Sequence, residues 1–277
     1  MHRRPAPQAS AGHRTRPSVL RGTWRAADLF RGFTSAEITA DRREVESLRD
    51  FFWFDLCAEW DARHLHEHLK ARLDSFSPEF RAMESAWADD EANHARGFLD
   101  LWCALYDEEE SDVVERLSER RADFTAIERF LDDEFGITLL VAYDELATTR
   151  AYSLDVALYR RLGSERLERW IRLLIRDESY HHRNAMVLLR LLHGARIPGA
   201  RRRIEEFVRY DLGDHGYRAT FLFDHEWGHV DHRFYRRNGE ILLSRLLASH
   251  SGSSTPSHRM AKVPSSRSTS SHGRLSR

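Results

Sequence analysis

Two pentads, Asp90-Glu91-Ala92-Asn93-His94 and Asp177-Glu178-Ser179-Tyr180-His181, repeat the pattern Asp-Glu-x-x-His, each inside a long run of helical period. On a helix, residues i and i+3 share a face, so each pentad aims one carboxylate and one imidazole the same way. The stripe that carries them is otherwise apolar: Trp87, Phe98, Leu101 and Leu105 flank the first, and Ile171, Leu174, Ala185 and Leu188 the second. Charged groups in the middle of an apolar stripe are costly unless they are paired or hold a metal. The fold must therefore bring these side chains together in one buried place.

Helical period runs through nearly all of the chain between its ends and no strand alternation survives, which predicts an all-α fold. A first helix, from about Asp41 to Leu73, carries Leu48, Phe52, Leu56, Glu59, Ala62, Leu65, Leu69 and Leu73 on one stripe. Asp74 to Pro78 is a stop and restart, with Ser77 as N-cap and Pro78 at the first helical position. The second helix carries the first pentad, and an acidic linker from Asp107 follows, with a short helix to Arg121. A third helix starts near Thr125, bends at Gly136 and turns Val141, Glu145, Thr148, Tyr152, Val156 and Tyr159 inward. Gly163-Ser164 ends it and caps a fourth, whose stripe runs from Leu167 to Leu192 and closes at His193-Gly194. Residues 201–212 and about 216–248 read as two or three further helices packed outside these four.

Glu59 and Glu145 sit at the same kind of position as the pentads, in phase with an apolar stripe. Two antiparallel helices joined by a short turn bring residues to one height when these are equidistant from the turn. Glu59 and Glu91 have their midpoint at residue 75, inside the first turn, and Glu145 and Glu178 have theirs beside Gly163. Both pairs thus meet about 24 Å from their turns at 1.5 Å per residue. A Glu-x-x-His from each of two helices and a Glu from each of two others is the ligand set of a di-iron or di-manganese site in a four-helix bundle. Glu59, Glu91, His94, Glu145, Glu178 and His181 are the expected metal ligands, with Glu91 and Glu178 placed to bridge. A metal-bound His usually donates its other N–H to a carboxylate, and Asp90 and Asp177 point toward the neighbouring helix for that task. Thr148, one turn from Glu145, is either a proton relay beside the cluster or a helix threonine bonded back to its own backbone.

As a set these residues resemble the ferritin-like di-iron carboxylate superfamily over about residues 45–195. The resemblance implies a ferritin-like antiparallel four-helix bundle with extra C-terminal helices. The radical tyrosine of small-subunit ribonucleotide reductases is here Phe98, and the additional histidine of di-iron N-oxygenases is Leu174. Glu145-Leu146-Ala147-Thr148 and Phe221-Leu222-Phe223-Asp224-His225 are similar to segments of the soluble acyl carrier protein desaturases. That likeness implies two iron ions (manganese as the alternative), O2 as co-substrate, and desaturation or hydroxylation of an apolar, carrier-bound acyl substrate. It also implies an external electron donor such as a ferredoxin and a docking patch for an acidic carrier, for which Arg196 and Arg201-Arg202-Arg203 are the candidates. An N-oxygenase or hydroxylase of a small metabolite, and a non-oxygenase protein that handles iron or peroxide, remain open.

Charge is unevenly placed. Residues 1–27 hold six Arg and no acid, and residues 249–277 hold four Arg, one Lys and no acid. Taking those eleven positive charges from the net of −1 leaves 28–248 at −12, a poor surface for nucleic acid. Residues 1–25 and 249–277 are expected to be disordered basic tails around one domain at 26–248. No apolar run reaches the length of a membrane span. Two cysteines cannot supply a disulfide framework or a Cys-rich metal site, and a cytoplasmic protein, with homodimerisation open, is the expectation. One rival motif is present: His225-Glu226-Trp227-Gly228-His229 spells the zinc-hydrolase helix His-Glu-x-x-His. The metzincin continuation is missing, since the Gly expected at 232 is His232 and the His expected at 235 is Tyr235.

Overall fold

The computed structural model describes residues 18–213, 215–224 and 230–248. Among these the protein is all-α: α1 (Ala26–Leu29), α2 (Arg42–Ser47), α3 (Arg49–Lys70), α4 (Pro78–Tyr106), α5 (Glu110–Ser118), α6 (Glu134–Arg161), α7 (Glu165–Leu192), α8 (Ala200–Asp211) and α9 (His232–Ala248). Two antiparallel pairs dominate the packing, α3 with α4 and α6 with α7, and α4 lies against α7. α8 and α9 pack on each other and on α6. No described helix is long and apolar enough to cross a membrane.

Local chemistry fixes the two hairpins. Ser77 caps α4 by accepting from the Phe80 N–H at 3.1 Å, with Pro78 at the first position. Glu134 accepts from the Ser77 N–H (2.6 Å) and hydroxyl (2.9 Å), tying the first hairpin turn to the start of α6. At the second turn Gly163 has φ +74°, and a Cβ there would lie 1.7 Å from Thr39 Oγ1, so both conformation and space demand glycine. Ser164 then caps α7 by accepting from Leu167 N at 3.4 Å.

Several boundaries differ from those expected. The first helix is broken at Leu48, where a tight bond from its N–H to Val45 O (3.1 Å) ends α2 before α3 begins. The third helix starts at Glu134 rather than near Thr125, capped by Asp133 on Gly136 N at 2.7 Å. Gly136 therefore makes no bend: it lies in the first turn, where a Cβ would come 2.7 Å from Phe130 O. Leu192, placed on the inner stripe of α7, is exposed. Residues 215–224 are irregular, with Ala219, Phe221 and Phe223 at φ between 56° and 69°. Asp224 holds that segment by accepting from the backbone of Arg218 (2.7 Å) and Thr220 (2.6 Å), and Asp144 accepts from Phe223 N at 3.0 Å.

The core consists of two apolar clusters. One contains Leu65 and Leu69 of α3, Phe80 and Trp87 of α4, Leu139 to Tyr143 of α6, and Ala185 and Leu188 of α7. The other contains Phe52 and Leu56 of α3, Phe98 and Leu101 of α4, Tyr152 and Tyr159 of α6, and Ile171 and Leu174 of α7. Each of the four long helices passes from one cluster to the other through a level of buried carboxylates and imidazoles. α4 and α7 approach closely beside that level because Gly97 carries no side chain: a Cβ would lie 2.0 Å from the Trp170 ring. Gly97→Ala is expected to destabilise the protein by about 1–3 kcal/mol through overpacking, outweighing the higher helix propensity of alanine. Urea unfolding measures this, and an unchanged or raised midpoint contradicts the packing.

Candidate metal centre

The polar level unites all six side chains that the spacing singled out. Glu59 comes from α3, Glu91 and His94 from α4, Glu145 from α6, Glu178 and His181 from α7, and none is more than 3 % exposed. They form two overlapping groups, Glu59, Glu91, His94 and Glu178, and Glu91, Glu145, Glu178 and His181, in each of which the ligating atoms lie within 4.8 Å of one another. Such an arrangement is consistent with a binuclear metal site.

The shared members have bridging geometry. His94 Nδ1 lies 3.1 Å from Glu178 Oε1 and 3.5 Å from both Glu91 Oε2 and Glu59 Oε2. His181 Nδ1 lies 3.0 Å from Glu91 Oε1, 3.1 Å from Glu178 Oε2 and 3.5 Å from Glu145 Oε2. Glu91 and Glu178 thus offer one oxygen to each group. The other two carboxylates are each anchored through one oxygen by an aromatic donor: the Tyr152 hydroxyl donates to Glu59 Oε1, and the Trp87 indole N–H to Glu145 Oε1 at 2.7 Å. Their second oxygens, both oxygens of Glu91, Glu178 Oε1 and the inward Nδ1 of His94 are buried with no hydrogen-bond partner. Buried polar atoms are nearly always satisfied. A cluster of orphaned acceptors around two imidazoles is what divalent cations would complete, so the donor set fits them.

The electrostatics lead to the same demand. Burial, then the neighbouring Glu59, pushes the Glu91 carboxyl up to about 7. Burial and then Glu178 hold Glu145 well above the usual carboxylate range. For His94 and His181 burial disfavours the cation, but it is outweighed by carboxylates, chiefly Glu178 for His94 and Glu145 for His181, and both imidazoles are raised well above their ordinary value. The cluster thus favours added positive charge, as protons on these groups or as cations between them.

On the side away from the carboxylates, the outer ring nitrogens cross between helices. His94 Nε2 lies 3.6 Å from Asp177 Oδ2, and His181 Nε2 lies 3.5 Å from Asp90 Oδ2. A segment assigned above to the N-terminal tail buttresses both aspartates. The Trp24 indole N–H donates to Asp177 Oδ2 (2.5 Å), its ring stacks on His94 at 6.1 Å, and Gly22 N donates to Asp90 Oδ2 (3.2 Å). Leu20 exchanges two backbone bonds with the Asn184 amide, at 3.0 and 2.7 Å, and Ala26 N donates to Asn93 Oδ1 at 2.8 Å. The ordered boundary therefore precedes residue 26, because polar groups on α4 and α7 satisfy the backbone of 20–26.

Thr148 takes the alternative weighed for it: its hydroxyl donates to Asp144 O at 3.2 Å, within its own helix. The hydroxyl that touches the carboxylate cluster belongs to Tyr152, on the same stripe and seven residues after Glu145. Tyr152 and Trp87 were visible on their stripes as core aromatics, and only the polar end of each ring was missed. Trp24 and Gly22 lie in a stretch without periodicity and carried no signal. The His225 to His229 motif lies outside the described residues. Cys57 and Cys103 are unpaired, and burial raises their thiols to about 12 and about 11, so neither offers a thiolate at neutral pH. The chain matches no family model, and no curated protein or solved structure matches it.

Three outcomes follow. Binding of Zn2+ or Fe2+ to metal-free protein at pH 7 is expected to release roughly three protons per chain, since the raised Glu and His groups must give theirs up. Titration in weak buffer with a pH indicator reads this, and release below one proton per chain contradicts the electrostatics. Because the same groups bind protons more tightly folded than unfolded, metal-free stability should fall as pH rises from about 5 to 8. Gly22→Ala places a Cβ 2.4 Å from Asp177 Oδ2. It is expected to weaken metal retention by about 10–100-fold, measured by competition with a chelator, with unfolding of the metal-free protein little changed.

Proposed function

We propose that the protein is a non-haem, O2-dependent oxidoreductase with two metal ions, iron by preference, held in a ferritin-like four-helix bundle formed by α3, α4, α6 and α7. The observation that carries this reading is the group of orphaned, fully buried oxygens and nitrogens that converge from four helices. Four carboxylates balance the charge of two divalent cations and leave positions open for oxygen and substrate. Bound there, two redox-active ions supply the one-electron steps by which O2 is reduced and an unactivated C–H bond is attacked. Glu59 and Glu145 would hold one cation each, and Glu91 and Glu178 would span the pair.

The chain's own residues set the conditions for that chemistry. Tyr152 and Trp87 each pin one oxygen of a terminal carboxylate, so its other oxygen keeps a fixed direction. Tyr152 also holds a proton at Glu59, on the wall of a small cavity lined by Ala147, Thr148 and Phe221. Asp90 and Asp177 stand 3.5–3.6 Å from the outer ring nitrogens, which favours orientations of the two imidazoles with Nδ1 inward. The apolar clusters on both sides exclude water from the level between them. Electrons would come from a separate donor protein.

Handling of iron or peroxide without an organic substrate is the second reading, and one observation weighs against it. A cleft of about 620 Å³ reaches Glu59 and Glu91, far larger than an ion or peroxide needs.

Glu178 belongs to both groups, which makes Glu178→Ala the decisive variant. Wild type reconstituted with Fe2+ is expected to hold about two iron ions per chain and to consume O2 with an electron donor. Glu178→Ala should lose both ions, whereas Glu59→Ala, which touches one group, should keep more metal. Metal analysis with an oxygen electrode checks this. Full metal content in Glu178→Ala would overturn the assignment.

A further inference from the structure

The cleft that reaches Glu59 and Glu91 lies between α3 and α4 and is roofed at one end by α5. Its apolar walls are Trp60, Ala62, Ala88, Ala95, Leu99 and Val114. Counted from the hairpin turn at residue 75, its near end is at His66 and Ser85 and its far end at Leu99, a run of about 21 Å at 1.5 Å per residue. Glu59 and Glu91 stand close to the middle of that run. The cleft thus presents a long, narrow, small-residue groove with the metal centre beside its midpoint.

Its charged residues are unequal. Asp89 at the rim pairs with Arg21 at 3.2 Å, Glu110 with Arg96 at 2.7 Å, and His66 Nδ1 with Glu84 at 2.5 Å. Arg63 has no carboxylate within ion-pair distance among the described residues. It stacks 4.6 Å over the Trp60 ring and donates one N–H to Leu117 O at 3.1 Å, which fixes its orientation. Its Nε is buried without a hydrogen-bond partner. Arg63 is one helical turn from Glu59, about 6 Å along the axis. A fixed, half-buried guanidinium with free donors recognises a carboxylate.

We propose that this groove binds a free, elongated apolar carboxylate, its anionic group held by Arg63 and its hydrocarbon body passing Glu59 and Glu91. This deepens the oxidoreductase reading and rests on it for the chemistry, but the binding itself requires no metal. It also replaces a carrier-bound acyl group by an unesterified acid, because a thioester carries no charge for Arg63 to pair with.

Decanoate and decanol, equal in chain length and different in charge, are the probes. Their binding to the full-length protein is followed by Trp fluorescence and calorimetry, with metal content measured on the same samples. Wild type is expected to bind decanoate at least tenfold more tightly than decanol. Arg63→Gln should lose that tenfold preference while still binding decanol, and Arg63→Lys should recover part of it. Ala88→Phe, which fills the groove and leaves Arg63 in place, should weaken both ligands by at least tenfold. Equal affinity for the two ligands in wild type, or binding untouched by Ala88→Phe with the fold intact by circular dichroism, overturns the proposal. Iron bound at two per chain with no decanoate binding removes this inference alone. Decanoate bound as expected in a protein that takes up no metal removes the oxidoreductase reading alone.

Discussion

Four glutamates held within a few ångströms of each other, away from water, repel one another and have lost their hydration. Every other feature of the centre answers that difficulty. Two imidazoles are interleaved with the carboxylates, two aromatic donors take one oxygen from each outer glutamate, and two aspartates stand behind the imidazoles. Even so, Glu91 and Glu145 are pushed toward their protonated forms, which shows that the protein groups alone do not neutralise the site. A fold that keeps such a level at its centre stores unfavourable electrostatics against the arrival of positive charge. That is the physical content of calling it a candidate metal centre.

The hydrophobic effect makes this affordable by working on both sides of the level. The two apolar clusters hold α3, α4, α6 and α7 at fixed separation, so the carboxylates cannot move apart to relieve their repulsion. Close packing at Gly97 and Trp170 sets the distance between α4 and α7, the two helices that carry both imidazoles. Rigid packing and frustrated charge are thus complementary parts of one design.

What the sequence revealed follows from what is regular. Helix rise and hairpin symmetry are constant enough that Glu59 and Glu91, or Glu145 and Glu178, could be matched by arithmetic, and the six polar interruptions of apolar stripes were legible as one set. The bridging candidates could be named because they are the glutamates of the two pentads. What escaped was aperiodic or depended on a bond at the end of a side chain. A threonine that bonds its own helix and one that faces a cluster have the same spacing, so Thr148 was undecidable. Glycine inside a helical run suggests a bend, whereas Gly136 serves a close contact with Phe130, and such contacts leave no periodic trace. Residues 215–224 break the helix through side chains capping their own backbone, with three non-glycine residues at positive φ. The 20–26 segment has no pattern, and its order comes from Asp90, Asn93, Asp177 and Asn184, residues far away in the chain.

That last dependence has a temporal side. Leu20 and Asn184 are 164 residues apart, so the strap that backs both aspartates cannot dock until α7 has been synthesised and packed. Residues 20–24 precede every long helix in the chain and are therefore among the last to find their places. Once docked, Trp24 covers the His94 ring and bonds Asp177, while Gly22 bonds Asp90, the partner of His181. The backing of both imidazoles is thus completed only after α4 and α7 are both in place, so the centre is finished by the most sequence-distant contacts of the fold.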